Sequence, residues 1–494
     1  MAHVKPLLDP VFSTKFISFF TIGVFCFFSL NSVADLKAAT LAEAVQKAVS
    51  SNPEVMERFD ALRSSSFEQR SAQGGYFPRI DLTSRLGMEW LDTNSFSREL
   101  HPGEISLTLS QRIYDGNATR NEFRRLGYNR LTRFYELLEI TESIALETTR
   151  SFFDVLRYRR LTGLAEENYQ QHLTIYEQVK KRTEAGIGRG VDLEQVTGRL
   201  ALADSNRLTE ATNLHDVSSR YFRIVGELPP EELSPPENLA EGISGIFASL
   251  LKEALRESPA LHAAVEALQA IRVEYDVQRS VRSPRLDLRA RHDLGTDRGS
   301  IDGQSDESAL ELVLSANLYR GGADTAAIRQ SASKVTQVRH QKNKICRDLR
   351  QTLEIAHNDI QAYDRQLSQL DLHRNSIANV RMVYRKQFDI GQRTLLDLLD
   401  TENEYFQANR SFVGTSYDSL YAYARTQAAM GRLLKVLDLR QADLPSREDF
   451  LPVPTDLDPM SVCVENDQYP LMSEDPLPPS LNSDFDESFI WEFD

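Results

Sequence analysis

Apolar residues alternate with polar ones in four short segments of the chain. The first runs from Ile80 to Trp90 in "IDLTSRLGMEW", where the even positions are mostly apolar. The other three carry apolar residues at alternate positions, namely Ile105, Leu107, Leu109 and Ile113; Leu286, Leu288, Ala290 and Leu294; and Leu310, Leu312, Leu314, Ala316 and Leu318. A period of two predicts β-strands with one apolar face and one charged face. Such strands suit a transmembrane β-barrel with an aqueous lumen, or a soluble antiparallel sheet with one wet face.

Two long stretches of the chain contain no proline. No proline lies between Pro102 and Pro229, or between Pro284 and Pro445, so each stretch can hold very long helices. Residues 118–185 would extend for roughly 100 Å as one helix. The second stretch carries apolar residues at the spacing of coiled-coil seams, at Ile328, Val335, Val338, Ile345 and Leu349.

The two halves of the chain are similar to each other. Pro53 and Pro259 lie 206 residues apart, and "FPRIDLTSRLG" matches "SPRLDLRARHD" at the same offset. An offset of 205 relates three further pairs, Gly186 and Gly391, Asp192 and Asp397, and Gly226 and Gly431. A register kept over more than a hundred residues indicates a tandem duplication of one unit.

Each unit is predicted to supply two strands and two helical columns. A helix of residues 192–226 that runs back along residues 118–185 covers only about half of their length. Residues 41–77 have the length needed to cover the other half and so complete the second column. Four strands are too few to close a pore, so several chains must share one barrel.

The first 34 residues resemble a secretory signal peptide. Lys15 precedes the apolar run "FISFFTIGVFCFFSL", and small residues allow cleavage after Ala34. Because Cys26 lies inside the apolar run, lipid attachment is not expected. We predict that the mature protein begins near Asp35 without an acyl group. Intact-mass measurement of the exported protein tests this; retention of residues 1–30, or an added acyl mass, would refute it.

Charge and motifs exclude several classes of function. The formal charge is -15, and residues 441–494 contain fourteen Asp or Glu against one Arg, so the rest of the chain is nearly neutral and no nucleic-acid partner is expected. Residues 441–494 are also rich in proline and are predicted to be disordered.

Cys346 and Cys463 are far apart in sequence and resemble neither a disulfide framework nor a metal cluster. No catalytic motif is found, so neither an enzyme nor a cofactor is expected.

Several motifs in order resemble the TolC-like outer-membrane factors, which are export ducts of Gram-negative bacteria. The resemblance covers about residues 40–440 and includes "TLAEAVQKAVSSNPEV", "YFPRIDL" and "LSQRIYDG". It implies a homotrimer in the outer membrane, with a twelve-stranded transmembrane β-barrel that continues into a twelve-helix periplasmic α-barrel. It also implies a periplasmic adaptor and an inner-membrane ABC transporter or efflux pump as partners. "PRIDL", "TLSQRIYDGNATRNE" and "GRGVDLEQVTGRLALADSN" look closer to the branch that serves type I protein secretion.

The resemblance assigns roles to residues at two helical turns, where the periplasmic entrance of the family is held shut. Matched onto "FDIGQRTLLDLLD" and "GIGRGVDLEQ", the closing links involve Arg393 and Asp192, and the turn glycines are Gly391 and Gly186. The lumen-facing acids would be Asp397 and Asp400. The tyrosine of the family falls on Phe388, which removes a hydroxyl. From the residues alone, Thr394 and Asp397 also fit a helix-capping box, and the charged face can be simply solvated.

The sequence thus predicts a mainly α chain with a β-barrel part, built from a tandem repeat. The expected parts are a signal peptide (1–34), a first repeat (40–228), a linker (229–246), a second repeat (247–440) and the acidic tail (441–494). Three functions remain open: an exit duct for type I secretion, a multidrug efflux channel, and a non-channel periplasmic coiled-coil scaffold.

Overall fold

The computed structural model describes residues 39–94, 96–236, 239–297 and 303–439, together with Cys463. These residues belong to one of the two units into which the chain divides, Ala38–Asp494. Among them, no helix combines the length and the apolar character needed to cross a membrane. The predicted signal peptide and, apart from Cys463, the acidic tail lie outside the described residues.

Helices make up most of the described chain. They are α1 (Leu41–Ser51), α2 (Pro53–Gln73), α3 (Ala118–Glu184), α4 (Gly190–Val225), α5 (Phe247–Glu257), α6 (Pro259–Ser280), α7 (Ala323–Asp389), α8 (Leu395–Ala429) and α9 (Leu433–Val436). The helices α3 and α7 each run for 67 residues, close to 100 Å at 1.5 Å per residue, because no proline interrupts them. The helices α4 and α8 pack along them and are about half as long.

The tandem repeat predicted from the sequence is present in the structure. The helices α1, α2, α3 and α4 contain 11, 21, 67 and 36 residues, and their counterparts α5, α6, α7 and α8 contain 11, 22, 67 and 35. Residues 41–77, expected to act as one column, are divided by Asn52, whose side chain accepts the Glu54 N–H at 2.9 Å. Ser258 occupies the same position in the second repeat and accepts the Leu261 N–H at 3.5 Å. A proline follows each cap because the first turn of a helix tolerates its missing N–H.

The described strands are β1 (Ala39–Thr40), β2 (Arg79–Leu86), β3 (Glu89–Thr93), β4 (Phe96–Leu100), β5 (Gly103–Tyr114), β6 (Leu233–Ser234), β7 (Arg285–Thr296) and β8 (Gln304–Ser315). Within this part of the chain, four of them form an antiparallel sheet in the order β2-β5-β7-β8. The central pair, β5 and β7, joins the two repeats.

The register of the sheet separates apolar from charged side chains. Leu107 lies opposite Leu82, and Leu312 lies opposite Leu288, so a row of leucines occupies one face. Most of this face is exposed in the single chain, and Leu312 is 65% exposed. Arg85 follows the opposite alternation and therefore lies on the other face.

The other face of the sheet is lined by ion pairs between neighbouring strands. Arg112 Nε lies 3.8 Å from Asp287 Oδ1, and Arg291 Nη2 lies 3.2 Å from Glu307 Oε1. Arg289 belongs to the same face, two residues from each β7 member of these pairs. One chain therefore presents a sheet with a leucine-rich side and a charged side.

A second hairpin was not predicted. The strands β3 and β4 pair through five residues in register, from Glu89 opposite Leu100 onwards. The expectation of one strand from Ile80 to Trp90 was wrong, because β2 ends at Leu86 and Gly87 turns the chain. Alternation continues across this break, so periodicity alone could not show where one strand stops.

The main apolar core lies where the shorter helices pack against α3. It includes Phe152 and Phe153 of α3, Tyr221 of α4 and Leu41 of α1, all at most 2% exposed. The parallel pairing of β1 with β6 closes the same region, with Ala39 opposite Leu233. This core fixes the start of the first repeat against α3.

A disulfide joins Cys346 on α7 to Cys463 across 117 residues of sequence. The expectation that these two cysteines do not belong to a disulfide framework was wrong. Their Cα atoms lie 5.9 Å apart, an ordinary separation for a disulfide. The sequence did not reveal this disulfide, because the pairing depends on the position of Cys463 beside α7, which local sequence patterns do not encode.

Glu142 on α3 is buried and caps the chain beyond α8. Its Oε2 accepts the Leu433 N–H at 3.1 Å. Burial raises the pKa of this carboxyl from its ordinary 4.5 to about 7, although hydrogen bonds from the Leu434 and Leu433 backbone oppose the rise. The folded protein therefore binds this proton more tightly than the unfolded chain does.

We predict that Glu142 makes folding pH-dependent. Because its folded pKa is raised, its contribution to stability is fully present below about pH 4.5 and is lost as the pH rises through about 7, a change on the order of 3 kcal/mol. Thermal unfolding followed by helical circular dichroism should show this decline in the native protein and a flatter profile for Glu142→Gln. Glu194→Gln, on the surface of α4, is the control. Parallel profiles for native protein and Glu142→Gln would contradict the assignment.

Candidate functional site at the turns of the long helices

The two long helices end in similar turns. The helix α3 leads into Gly186 at φ 75°, and α7 leads into Gly391 at φ 77°. Both values lie in the left-handed region, which glycine adopts without steric cost. The N–H of Ile187 donates to the Arg182 carbonyl at 3.0 Å, and the N–H of Gln392 donates to the Gln387 carbonyl at 2.8 Å. Both turns thus reverse the chain with satisfied backbone groups.

A capping box starts α8 but not α4. Thr394 Oγ1 accepts the Asp397 N–H at 3.2 Å, and Asp397 Oδ2 accepts the Thr394 N–H at 3.4 Å. The helix α4 begins after Arg189 without a side-chain cap, and Asp192 lies in its first turn. Asp397 therefore has a local structural role in addition to the one the resemblance implies, whereas Asp192 makes no capping bond to the start of its helix.

Arg393 is held on the surface of the second turn. Its Nε donates to Gln387 Oε1 at 3.0 Å, and its Nη1 lies 3.8 Å from Asp397 Oδ2. The guanidinium also lies 4.3 Å from the ring centroid of Tyr384, a cation–π distance. These contacts position the charge beside the turn without burying it. Among the described ion pairs of one chain, Arg393 is not paired with Asp192.

Phe388 packs in the interior rather than lying at the surface. It is 7% exposed and belongs to an apolar cluster that also contains Ile175 of α3, Val196 of α4 and Leu399 of α8. The Arg182 guanidinium lies 5.4 Å from its ring centroid. Phe388 of α7 therefore packs with residues of α3, α4 and α8 near the turns, and this apolar packing does not need the hydroxyl of a tyrosine.

Asp400 forms an ion pair that sequence reasoning missed. Arg199 Nη2 donates to Asp400 Oδ1 at 2.6 Å, and the Asp400 side chain remains 56% exposed. The pair joins α4 to α8. Since Arg199 and Asp400 lie on different helices 201 residues apart, no spacing within one helix could have indicated it.

A second group of polar contacts lies further along the same helices. Glu402 on α8 is 2% exposed, and its Oε2 accepts from Arg381 Nε at 2.7 Å. Arg385 lies beside the same carboxylate and donates to Gln171 of α3. Burial also lowers the pKa of the nearby His172 imidazole, so this ring favours its neutral form. Removing one partner would leave a buried charge, so these contacts hold the helix pair α7/α8 firmly to α3.

Protein-family comparison matches both halves of the chain. The model of the family described as outer membrane efflux protein matches residues 44–227 and again residues 250–432. Each match corresponds to one structural repeat.

Three bacterial proteins are similar to this one over most of the chain. Outer membrane efflux protein BepC of Brucella suis is 22% identical, over 80% of this chain and 86% of that protein. Outer membrane protein TolC of Escherichia coli is 21% identical, over 92% and 93%. Alkaline protease secretion protein AprF of Pseudomonas aeruginosa is 21% identical, over 83% and 87%.

Solved structures share the fold. The CmeC outer membrane channel of Campylobacter jejuni superposes with a TM-score of 0.73 at 14% identity, covering 80% of this chain and 86% of that chain. The outer membrane protein VceC of Vibrio cholerae gives a TM-score of 0.69 at 14% identity, covering 79% and 96%. The predicted fold class, mainly α with a strand part and built from a tandem repeat, is confirmed.

Proposed function

Because this chain belongs to the outer membrane efflux protein family, we propose that it is the exit duct of a type I protein secretion system. The protein is located in the outer membrane, with a large periplasmic part. In the proposed system, an inner-membrane ABC transporter drives export and a periplasmic adaptor connects it to the duct.

The observation that carries the proposal is the similarity to a protein named for secreting a protease, extending over 83% of this chain. A second relative with a comparable name, the proteases secretion protein PrtF of Dickeya chrysanthemi, is 24% identical over 54% of this chain. The motifs "PRIDL" and "TLSQRIYDGNATRNE" support the same branch of the family.

Multidrug efflux is the second candidate. The Brucella suis relative is named an efflux protein and matches over a similar share of the chain. Both candidates use the same channel and differ in cargo. The third interpretation, a non-channel scaffold, finds no support in the family.

The sheet of a single chain supports assembly as a trimer. In the described sheet order, β2 and β8 are the outermost strands, and open edges with apolar side chains are unstable unless another chain pairs with them. Pairing β8 of one copy with β2 of the next would close twelve strands in a trimer, with the leucine-rich face toward lipid and the ion pairs toward the lumen.

The function is tested by deleting the gene and restoring it on a plasmid. Secretion of large repetitive proteins into the medium should be lost in the deletion strain and restored by the plasmid, while resistance to dyes and antibiotics should change little. Loss of resistance with normal secretion would favour efflux instead.

The acidic residues near the turns should set ion preference. If Asp397 and Asp400 face the lumen, six acids surround the axis of a trimer and attract cations. Asp397→Ala with Asp400→Ala should lower the cation preference by roughly two- to fivefold, and less at high salt, where screening is shorter. Arg199→Ala should raise it, because the pair with Asp400 at 2.6 Å partly neutralises that carboxylate.

Reversal potentials of the purified trimer in planar bilayers measure both effects. Asp389→Ala, at the end of α7, is the matched control with an acid removed from the same turn. A double variant that keeps the native cation preference would contradict the lumen assignment.

A further inference from the structure

Two exposed arginines lie at the start of α3, which continues from the end of β5. Arg120 and Arg124 are one helical turn apart, and neither side chain makes an ion pair or a hydrogen bond within the described part of the chain. Basic side chains in the first turns of a helix oppose its dipole, and like charges one turn apart repel each other. The stability of α3 therefore does not explain this pair, which suits an anionic partner outside the chain.

The two arginines project from the side of α3 that faces away from the lumen. Arg112, on the charged face of the sheet, donates from Nη1 to Thr119 Oγ1 at 3.2 Å, so Thr119 marks the lumen side of the helix. Successive helical residues are rotated by about 100°, which places Arg120 about 100° and Arg124 about 140° from Thr119. Because α3 continues from a central strand of the sheet, this surface does not lie at the edge where a second copy would join.

A third arginine comes from the second repeat. Gly116 adjoins Ser283 so closely that a Cβ on Gly116 would lie 2.3 Å from Ser283 Cβ. Arg282, the residue before Ser283, is exposed, and its Nη2 donates to Thr325 Oγ1, a neutral partner, at 2.8 Å. Three arginines thus meet at the junction between the sheet and the helices, hereafter the junction arginines: Arg120, Arg124 and Arg282.

Acids beside the junction arginines are engaged by other side chains. Glu122 Oε1 accepts from Arg125 Nη2 at 2.6 Å. Asp324 Oδ1 accepts from Arg320 Nη1 at 3.3 Å. These pairs balance their own charges, so the junction keeps a positive charge that attracts anions.

Exposed aromatic side chains accompany the junction arginines at this end of the sheet. Phe77 precedes β2, Tyr114 ends β5 and Tyr319 follows β8, and all three are exposed. Membrane barrels carry such rings where their lipid-facing surface meets the head groups. Since the long helices form the periplasmic part, the junction arginines lie at the level of the periplasmic leaflet.

We propose that the junction arginines bind the phosphate of an anionic phospholipid, such as phosphatidylglycerol, in the periplasmic leaflet of the outer membrane. This site rests on the proposed barrel, because the lipid-facing side of the sheet fixes where the head groups lie. Guanidinium groups suit the role because they form paired hydrogen bonds with phosphate oxygens. Position favours a lipid over a soluble phosphate, since side chains of α3 lean toward its N-terminus and hence toward the membrane.

Native mass spectrometry of the purified full-length trimer tests the lipid site. The trimer in detergent is titrated with phosphatidylglycerol, or with phosphatidylethanolamine of the same acyl chains, which carries no net charge. The native protein should retain roughly fivefold more phosphatidylglycerol, and the triple variant Arg120→Gln, Arg124→Gln, Arg282→Gln should lose this preference. Lysine at the same three positions should keep most of it, because the positive charges remain.

A matched control removes three exposed arginines that lie farther from the sheet: Arg63→Gln, Arg160→Gln and Arg365→Gln. This variant loses the same charge and should keep the native preference. Glycerol phosphate in excess should not displace the lipid, because it lacks the acyl chains. Displacement by glycerol phosphate, no preference in the native protein, or equal loss in both glutamine variants would each overturn the proposal. Because every measurement uses assembled trimer, such a result would reject the lipid site without rejecting the channel.

Discussion

Leu312→Arg is expected to reduce the amount of assembled trimer in the outer membrane by tenfold or more. Leu312 lies on the leucine-rich face of the sheet, opposite Leu288, and is 65% exposed in the single chain. If that face contacts lipid, an arginine there costs about 2 to 4 kcal/mol near the bilayer midplane, and a trimer carries three copies. Trimer yield is measured by heat-modifiable mobility of outer-membrane fractions on gels.

The next residue in β8 provides a matched control. Val313 lies on the charged face, opposite Asp287, so Val313→Arg introduces the same side chain beside a carboxylate. Its trimer yield should remain close to that of the native protein. Arg289→Leu, on the charged face of β7, should also have a much smaller effect than Leu312→Arg. Equal trimer yields for the two arginine variants would mean that both faces of the sheet lie in the same environment. That result would contradict a transmembrane barrel with one face toward lipid.

The sequence revealed the repeat and the long helices because both depend on local patterns. Missing prolines allow α3 and α7 to continue for 67 residues, and paired glycines such as Gly186 and Gly391 mark equivalent turns. The faces of the sheet followed from alternation in the same way, since side chains in a strand point to opposite sides by turns.

Features that depend on three-dimensional contacts were missed. The alternation around Gly87 did not show that the chain forms a second hairpin, β3–β4, before returning to the sheet. The Arg199–Asp400 ion pair joins residues 201 positions apart, and the Cys346–Cys463 disulfide joins residues 117 positions apart. Only the tertiary structure brings the members of each pair together. Burial at the second turn was missed as well. Phe388 is buried in the apolar cluster, whereas Arg393, five residues later, lies at the surface.

Arg393→Ser is expected to open the resting channel. In a closed trimer, three symmetry-related Arg393 side chains would each bridge to Asp192 of a neighbouring copy. An exposed ion pair contributes about 0.2 to 1 kcal/mol, so losing three changes the ratio of open to closed channels by a factor of roughly 3 to 150. Contacts to Gln387 and Tyr384 hold the guanidinium at the turn before any neighbour binds, which reduces the entropy lost when the bridge forms.

Single-channel conductance of the purified trimer in planar bilayers distinguishes a shared link from two separate ones. Arg393→Ser should raise the mean conductance, and Gln392→Ser, a neutral change in the same turn, should not. Adding Asp192→Ala to Arg393→Ser should have little further effect, because one link cannot be broken twice. Arg393→Lys should retain part of the closure, since the charge remains while the planar contact with Tyr384 is lost. If Arg393→Ser keeps the native conductance, or if Asp192→Ala adds its full effect on top of it, the closing link does not join these two residues.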